Sequence, residues 1–171
     1  MTIKPCTKED IKDMIRVLLQ SYLEHYTHLW EDEGVNYMKN SFNEKKLDEE
    51  MSNPNAAFFL VQDGQKYVGL VKLNIDSAVG DFPANTTLEL ERIYFIKEAA
   101  GKGFGKKAVD FVLDYAKQKH KQVIWLKAME SSTAVVEFYK KCGFRVIGEY
   151  ELNYPYIRSE YKGMVVMMMD V

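Results

Sequence analysis

Three alternating glycines separate a largely apolar segment from an amphipathic one, and this junction constrains the fold more than any other feature of the sequence. Gly101, Gly103 and Gly105 follow the run Leu88–Phe95, and residues 104–119 repeat their apolar side chains at helical spacing. Where a strand leads through a glycine turn into a helix, the glycines let a ligand come close to the backbone. The first-turn N–H groups of the helix have no partner within it, and the helix dipole is positive at this end. An ordinary tight turn would need only one glycine. The junction therefore predicts an anion site.

The spacing of these glycines excludes two common phosphate-binding motifs. A P-loop has Ser or Thr directly after its lysine, but Lys106 is followed by Lys107. The dinucleotide-binding pattern requires glycine at position 106, where this chain has lysine. The turn is therefore described as Gly-x-Gly-x-Gly.

Composition indicates a globular chain and disfavours several classes of function. Of the 171 residues, 47% are hydrophobic and 28% charged, which suits a single domain over residues 1–171. A net charge of −2 and a pI of about 6.0 argue against a nucleic-acid-binding protein. No apolar run reaches the ~18 residues of a membrane span, and residues 1–6 lack the apolar region of a signal peptide. Cys6 and Cys142 have no metal-ligand spacing, so we interpret them as reduced thiols of a cytoplasmic protein.

Hydrophobic periodicity predicts the element order β-α-α-β-β-β-α-β-α-β-β. Strands are expected at about residues 3–6, 57–62, 67–76, 88–95, 122–128, 144–151 and 161–170, and helices from residue 11 and over 35–51, 104–119 and 133–142. A break is expected near Asn43, and an Asp63-Gly64 turn should close a hairpin. This alternation predicts an α/β (α+β) fold, a mixed sheet with helices on both faces.

A second motif follows the glycine turn after one intervening strand. The segment Ser132–Phe144 resembles the helix Asn-x-x-Ala-x-x-Phe-Tyr-x-x-x-Gly-Phe of the GNAT superfamily of N-acetyltransferases. Phe138, Tyr139, Gly143 and Phe144 occupy the matching positions, and Ser132 and Val135 stand where the superfamily usually has Asn and Ala. Taken alone, the segment is better described as a core helix with one apolar stripe, and its position one strand after the glycine turn is what favours the resemblance.

The glycine turn is similar to the pyrophosphate loop of the same superfamily, (Gln/Arg)-x-x-Gly-x-(Gly/Ala). Gly103 and Gly105 occupy its last two positions, and Ala100 replaces the polar first one. The segments Leu88–Tyr94 and Ile124–Leu126 are most similar to the PaiA-type spermine/spermidine acetyltransferases. The resemblance implies a GNAT fold with a mostly antiparallel sheet of about seven strands. It also implies acetyl-CoA as cosubstrate, a small primary amine as acceptor, with polyamines among the candidates, and a homodimer as a possible assembly.

The same resemblance assigns the residues that bind acetyl-CoA. The pantetheine would lie along the backbone of Ile93, Tyr94 and Phe95, and the phosphates would lie at the glycine loop. The implied contacts in and after that loop are Gly101, Lys102, Gly103, Phe104, Gly105, Lys106 and Ser132. Lysines at a helix start are also commonly solvated, so their side chains carry less weight than the loop backbone.

Acetylation of an amine needs a base, because an alkylamine with a pKa near 10.4 arrives protonated at neutral pH. Glu89 and Glu91 share one face of a strand by its two-residue period, and carboxylates in an apolar strand are costly unless paired or functional. Pairing with Arg92 or Lys72 is the alternative. The resemblance implies that Glu91 is the base, with Glu89 as helper or substitute, and that Tyr139 is the general acid for the CoA thiolate.

The acceptor pocket is expected between the first helices and the loop before the last strand. The candidates there are Tyr22, Tyr26, Trp30, Tyr37, Tyr154 and Tyr156, with Glu24, Glu31, Asp32 and Glu33. Aromatic faces and carboxylates suit a polycation, although each residue taken separately is better explained as a core aromatic or a solvated acidic side chain. His25 and His28 lack a third ligand, so no metal site is expected.

A second class of function stays open at this point. The departures from the superfamily pattern at Ala100, Ser132 and Val135 suit a GNAT-fold acyl-CoA-binding or regulatory module with weak or no catalysis. Tyr139 and the two glutamates favour the enzyme.

Overall fold

The computed structural model describes residues 1–171 and contains seven strands and five α-helices. Their order is the predicted one, with the helical region expected over 35–51 divided into two helices. The strands are β1 (Thr2–Pro5), β2 (Ala56–Asp63), β3 (Lys66–Asn74), β4 (Thr87–Phe95), β5 (Val123–Met129), β6 (Arg145–Glu151) and β7 (Gly163–Asp170). The helices are α1 (Ile11–His25), α2 (Val35–Ser41), α3 (Glu44–Met51), α4 (Phe104–Gln118) and α5 (Thr133–Lys141). The predicted elements are therefore confirmed to within a few residues at their ends.

Local signals explain where several of these elements begin and end. The expected break falls at Asn43, whose side chain accepts a 2.9 Å hydrogen bond from the N–H of Lys46 and so caps α3. The β2–β3 hairpin turns at Gly64, which has a φ of 60° that glycine tolerates best. Helix α5 stops before Gly143, which also adopts a positive φ. No helix combines the length and apolarity needed to cross a membrane.

The strands form one sheet in the order β1-β2-β3-β4-β5-β7-β6, in which only β4 and β5 run parallel. Helices α4 and α5 cover one face, where Val109 and Val112 of α4 pack with Leu88 of β4. Helices α1, α2 and α3 cover the other face, where Leu18 of α1 packs with Leu70 of β3. The predicted mixed sheet, mostly antiparallel and with helices on both faces, is confirmed.

Strand β4 leaves its neighbour β5 halfway along its length. The two strands pair only between Thr87–Glu89 and Val123–Trp125, and they separate beyond this point. On its other edge β4 stays paired with β3, but the register skips Glu91, which is the extra residue of a β-bulge. The separation opens a gap through the sheet, and the bulge lies at its edge.

Candidate active site

A cleft of about 450 Å³ fills the gap between β4 and β5. It is lined by residues of both faces of the sheet, since Gly105 and Phe138 come from the α4–α5 face and Tyr22 and Tyr37 from the α1–α3 face. A molecule in the gap can therefore contact side chains from both faces of the sheet.

The glycine loop supplies a row of free backbone donors. The six N–H groups from Gly101 to Lys106 donate no hydrogen bond within the protein. Gly101 and Gly103 have φ values of 74° and 73°, and a Cβ at either position would meet no atom within 4 Å. These glycines are therefore required by backbone conformation, and the space beside them is open. Free N–H groups at the start of α4, together with its dipole, fit the negatively charged pyrophosphate that the sequence predicts there.

The side chains or packing of four other loop residues are already used within the protein. A Cβ on Gly105 would lie 3.3 Å from the ring of Phe138, so this glycine permits α4 to approach α5 closely. The ring of Phe104 is buried in the core, so only its backbone is available to a ligand. Lys102 pairs with Asp63 at 2.9 Å, and Lys106 pairs with a carboxylate one turn along α4. The backbone of this loop is therefore a stronger anion site than its lysine side chains.

Of the three residues that the sequence assigned to pantetheine, two direct their backbone groups to the open edge of β4. Ile96 donates to the carbonyl of Val68 in β3, so by the alternation of an antiparallel pair Tyr94 also directs its backbone groups to β3. Ile93 and Phe95 then direct theirs to the cleft, although the carbonyl of Phe95 accepts a 2.9 Å hydrogen bond from the hydroxyl of Ser21. The strand pairing therefore disfavours the expected backbone contact of Tyr94 with pantetheine, and its side chain packs among the aromatic residues of the α1–α3 face.

Glu89 and Glu91 point to the same side of β4, as the two-residue period predicts. The Nδ2 atom of Asn74 lies 2.8 Å from the Glu89 carboxylate and 2.9 Å from that of Glu91. Lys72 lies 2.6 Å from Glu91 and Arg92 lies 3.3 Å from it, so both pairing partners that the sequence suggested are in place. The side chain of Glu91 nevertheless remains 27% exposed, on the wall of the cleft.

Two further residues complete the surroundings of Glu89. The hydroxyl of Ser77 lies 3.1 Å from its carboxylate, and the ammonium group of Lys127 lies 3.5 Å away. Lys127 reaches across from β5 and lines the cleft as well. Glu89 is therefore held by neighbours on both sides of the gap.

Glu50 of α3 lies outside the cleft and binds the two cations that contact Glu91. It pairs with both guanidinium nitrogens of Arg92 at 3.0 Å and with Lys72 at 2.9 Å. Burial alone would raise the pKa of Glu50, but the charges and hydrogen bonds of Arg92 and Lys72 outweigh burial and lower it. The two cations thus each connect Glu50 to Glu91.

Tyr139 lines the same cleft from α5. Its ring is buried and packs edge-on against Phe138 and Phe144, and its hydroxyl makes no hydrogen bond within the protein. Burial raises the pKa of Tyr139 well above its ordinary value, so the hydroxyl stays protonated at physiological pH. The cleft wall therefore carries a tyrosine hydroxyl that keeps its proton. Ser132, directly before α5, also lines the cleft.

Cys142 is the one thiol near this site, and it lies outside the cleft lining. It packs against the core beneath α5, and burial raises the pKa of its thiol. A protonated thiol is a poor nucleophile, so the side chain is structural here.

An aromatic chamber forms the end of the cleft on the α1–α3 face. Its rings belong to Tyr22, Tyr26, Trp30, Tyr37 and Tyr154, as the sequence suggested. Tyr37 stacks with Tyr22 at 5.0 Å between ring centroids and with Trp30 at 4.9 Å. Tyr156 was expected among these rings, but it lies outside the cleft and is 51% exposed.

The four acidic residues that were expected beside these rings are absent from the cleft wall. Glu24 accepts hydrogen bonds from the N–H of Lys97 and the amide of Gln20. Asp32 accepts from the N–H groups at the start of α2, and Glu31 and Glu33 are partners of no cleft residue. Their expected role at the acceptor pocket is wrong, because these carboxylates face other backbone or the surface.

Comparison with known proteins decides the family. Residues 15–144 match the model of the acetyltransferase (GNAT) family. The chain belongs to the GNAT acetyltransferase family. Membership makes it an N-acetyltransferase and agrees with both motifs that the sequence suggested, since the matched region contains the glycine loop and α5.

The relatives of this GNAT protein are distant in sequence and close in structure. An uncharacterised N-acetyltransferase of Lactobacillus delbrueckii subsp. lactis is 24% identical over 145 residues, 84% of each chain. The structure of the PaiA N-acetyltransferase from Thermoplasma acidophilum in complex with coenzyme A has a TM-score of 0.77 and 20% identity over 100% of both chains. A mutant of the spermidine N-acetyltransferase SpeG from Vibrio cholerae has a TM-score of 0.73 and 20% identity, covering 99% of this chain and 95% of that one. At these identities the likeness establishes the GNAT fold.

Several polar residues in and around this GNAT cleft could not be predicted from the sequence. Asn74, Ser77, Lys127 and Glu50 all contact the two glutamates or their partners. The only available signal was the presence of Lys72 and Asn74 two residues apart in an otherwise apolar strand. The others lie in a loop, a distant strand and a distant helix, where no local pattern marks them.

Proposed function

We propose that this protein transfers the acetyl group of acetyl-CoA to the primary amine of a small molecule, by direct attack of the amine in a ternary complex. One observation carries the proposal: the free amides of Gly101 to Lys106 stand beside the cleft whose wall holds Glu89, Glu91 and Tyr139. An anion-binding loop, two carboxylates and a protonated hydroxyl are the parts that this reaction needs.

The cosubstrate fits the residues at the loop and the open edge of β4. The N–H groups of the loop suit a pyrophosphate, and the free backbone groups of Ile93 and Phe95 suit an extended pantetheine with amides of its own. Ser132, at the start of α5, adds a hydroxyl on the same wall. The related PaiA structure, which contains coenzyme A, supports this assignment.

In the proposed reaction, Glu91 takes a proton from the amine and Tyr139 gives a proton to the sulfur of CoA. Glu91, with Glu89 as helper, accepts a proton from the incoming ammonium, directly or through water, and the freed nitrogen attacks the thioester carbonyl carbon. An N–H of the open edge of β4 polarises the carbonyl oxygen. As the new N–C bond forms and the C–S bond breaks, the nitrogen releases its second proton to solvent. Tyr139 gives its proton to the departing sulfur and regains one from solvent, and Glu91 returns its own proton to solvent.

The acceptor is a small amine whose body lies in the aromatic chamber. The likeness to a spermidine acetyltransferase and the resemblance to PaiA-type enzymes make polyamines one candidate. At 20% identity this likeness does not carry an acceptor over, so the residues of the chamber must decide the class of amine.

The test is a panel of amines with acetyl-CoA, followed by release of the CoA thiol and paired with thermal unfolding in the presence of CoA. The proposal expects CoA to raise the melting temperature and at least one amine to release thiol at a saturable rate. CoA binding without thiol release from any amine would favour the binding-module alternative instead.

Initial-rate kinetics test the direct route. A ternary complex gives intersecting plots when amine and acetyl-CoA are varied together, and the Cys142→Ala variant should retain most of the activity and the same pattern. Parallel plots, or an acetyl-cysteine trapped on the productive path, would contradict direct transfer.

A further inference from the structure

The aromatic chamber has no free negative charge, and from this we infer the class of acceptor amine. We propose that the chamber selects a primary amine with a single positive charge on an apolar, preferably aromatic, body, and that it discriminates against diamines and polyamines. This inference rests on the proposed acetyl transfer and deepens it.

The first support is the composition of the chamber wall. The charged residues of the cleft wall are Glu89, Glu91, Arg92 and Lys127. The chamber itself is lined by aromatic and aliphatic side chains, including Tyr22, Leu29, Trp30, Tyr37, Leu152 and Tyr154. The Tyr22 hydroxyl accepts a 2.9 Å hydrogen bond from the indole nitrogen of Trp30. Burial raises the pKa of Tyr26 to about 12 and also raises those of Tyr22 and Tyr37, so these hydroxyls stay neutral. Flat, uncharged rings suit an aromatic or aliphatic body.

The second support is that both carboxylates of the cleft already have cationic partners. Glu91 lies 2.6 Å from Lys72, and Glu89 lies 3.5 Å from Lys127. Of the charged residues on the cleft wall, Glu89 and Glu91 are balanced by Arg92 and Lys127. The site can therefore receive the one ammonium group that reacts, but it holds no further carboxylate for a second one.

The third support is that protein closes the chamber behind its aromatic wall. The N–H of Glu31 donates to the carbonyl of Tyr156 at 2.8 Å, and the N–H of Arg158 donates to that of Leu29 at 3.0 Å. The side chain of Arg158 donates to the carbonyl of Trp30 at 3.1 Å. These bonds join the segment between α1 and α2 to the loop between β6 and β7, and they leave Leu29 and Trp30 only 4% and 1% exposed. A long acceptor cannot extend its far end to solvent past this wall.

The energetic consequence follows from desolvation. A second ammonium group inside the chamber would lose its hydration without gaining a carboxylate, and cation–π contact with a ring compensates only part of that loss. An apolar tail of the same length loses nothing comparable and gains apolar contact. The discrimination should therefore appear between amines that differ only in the second charge.

The experiment compares kcat/KM for pentylamine and cadaverine, which have the same carbon chain and differ by one amino group, with phenethylamine and spermidine added. We expect pentylamine to exceed cadaverine by roughly 10²-fold, the effect of one buried unpaired charge, phenethylamine to be at least as good as pentylamine, and spermidine to be poor. Cadaverine or spermidine turned over faster than pentylamine would overturn the inference and leave the proposed function standing. Thiol release from no amine, with CoA still bound, would overturn both.

A matched pair of variants tests the cause. Tyr154→Glu places a carboxylate on the chamber wall and should raise the ratio of kcat/KM for cadaverine over pentylamine by at least about tenfold, because the second charge gains a partner. Tyr156→Glu adds the same charge in the same loop outside the cleft and should leave the ratio unchanged. An equal rise in both variants would mean that general surface charge sets the preference, which would contradict the inference.

Discussion

The ammonium group of Lys72 lies 2.6 Å from the carboxylate of Glu91, across the β3–β4 pair at the edge of the cleft. This distance makes Glu91 a member of an ion pair and a member of the cleft wall at once. Pairing and catalysis, the two roles that the sequence left open, are therefore compatible: Lys72 fixes the position of the carboxylate, and the exposed part of Glu91 is still within reach of a substrate in the cleft.

Replacement of Glu91 by Gln should lower kcat by roughly 10²–10⁴-fold, the usual range for a positioned proton-transfer group. The loss should shrink as pH rises toward 10.4, because a growing fraction of the amine is then already neutral. The measurement is kcat against pH with saturating acetyl-CoA. Glu149→Gln, an exposed glutamate on β6, serves as the control and should match the wild type.

The double variant Glu89→Gln/Glu91→Gln asks whether the two carboxylates share the task. Both accept from the same Asn74 amide, so either could position one water molecule. Wild-type turnover in both single variants and in the double variant would make these residues structural and favour the binding-module alternative.

Replacement of Gly103 by Val should abolish the rise in melting temperature that CoA produces. The φ of 73° disfavours any β-branched residue, and the new side chain would occupy the open space where we place the pyrophosphate. Gly64→Val in the β2–β3 turn is a matched control, because its φ is 60° and its Cβ would also meet no atom within 4 Å. Both variants should lose about 1–2 kcal/mol of stability through backbone strain, and only Gly103→Val should lose CoA binding. Equal CoA affinity in the two would refute the loop assignment.

Replacement of Tyr139 by Phe should lower kcat on the order of 10²-fold and leave the Kd for CoA nearly unchanged, since only the proton donor is removed. The melting temperature should also stay the same, because the lost hydroxyl makes no hydrogen bond within the protein. Stopped-flow or steady-state turnover and calorimetric CoA titration measure the two effects. Tyr115→Phe on α4, outside the cleft, controls for loss of a hydroxyl. A fall in CoA affinity that accounts for the whole rate loss would assign Tyr139 to binding.

Replacement of Glu50 by Gln should lower the free energy of unfolding by about 3–5 kcal/mol, because it leaves Lys72 and Arg92 buried without one of their partners. Asp48→Asn on the same helix removes an exposed pair with Lys8 and should cost less than about 1 kcal/mol. Urea denaturation of the three proteins measures both values. Similar small losses in the two variants would mean that Glu50 does not anchor the cations.

The pH dependence of stability offers an independent check on the same anchor. The pKa of Glu50 is lowered in the folded protein, so its contribution is present above its ordinary pKa of 4.5 and is lost as pH falls through the lower folded value. The Glu50→Gln variant should therefore show a shallower loss of stability below pH 4.5 than the wild type.

The sequence by itself determined the features that depend on local conformation. Positive φ values at Gly101 and Gly103, the start of α4 at Phe104, the break at Asn43 and the hairpin turn at Gly64 follow from residue types within a few positions. The shared orientation of Glu89 and Glu91 follows from strand period. Because these effects act over a few residues, pattern and composition were sufficient to predict them.

Only the tertiary structure decided which groups meet at the site. The β-bulge at Glu91 depends on the register between β3 and β4. Because of the bulge, the side chain of Arg92 lies beside that of Glu91, whereas in a regular strand two successive side chains would point to opposite faces. Glu50 and Lys127 arrive from a helix and a strand far away in sequence. The acidic residues near α2 turn to their own backbone instead of the chamber. A charge selects its partner by distance in space, and strand register and helix packing set that distance after the local elements have formed.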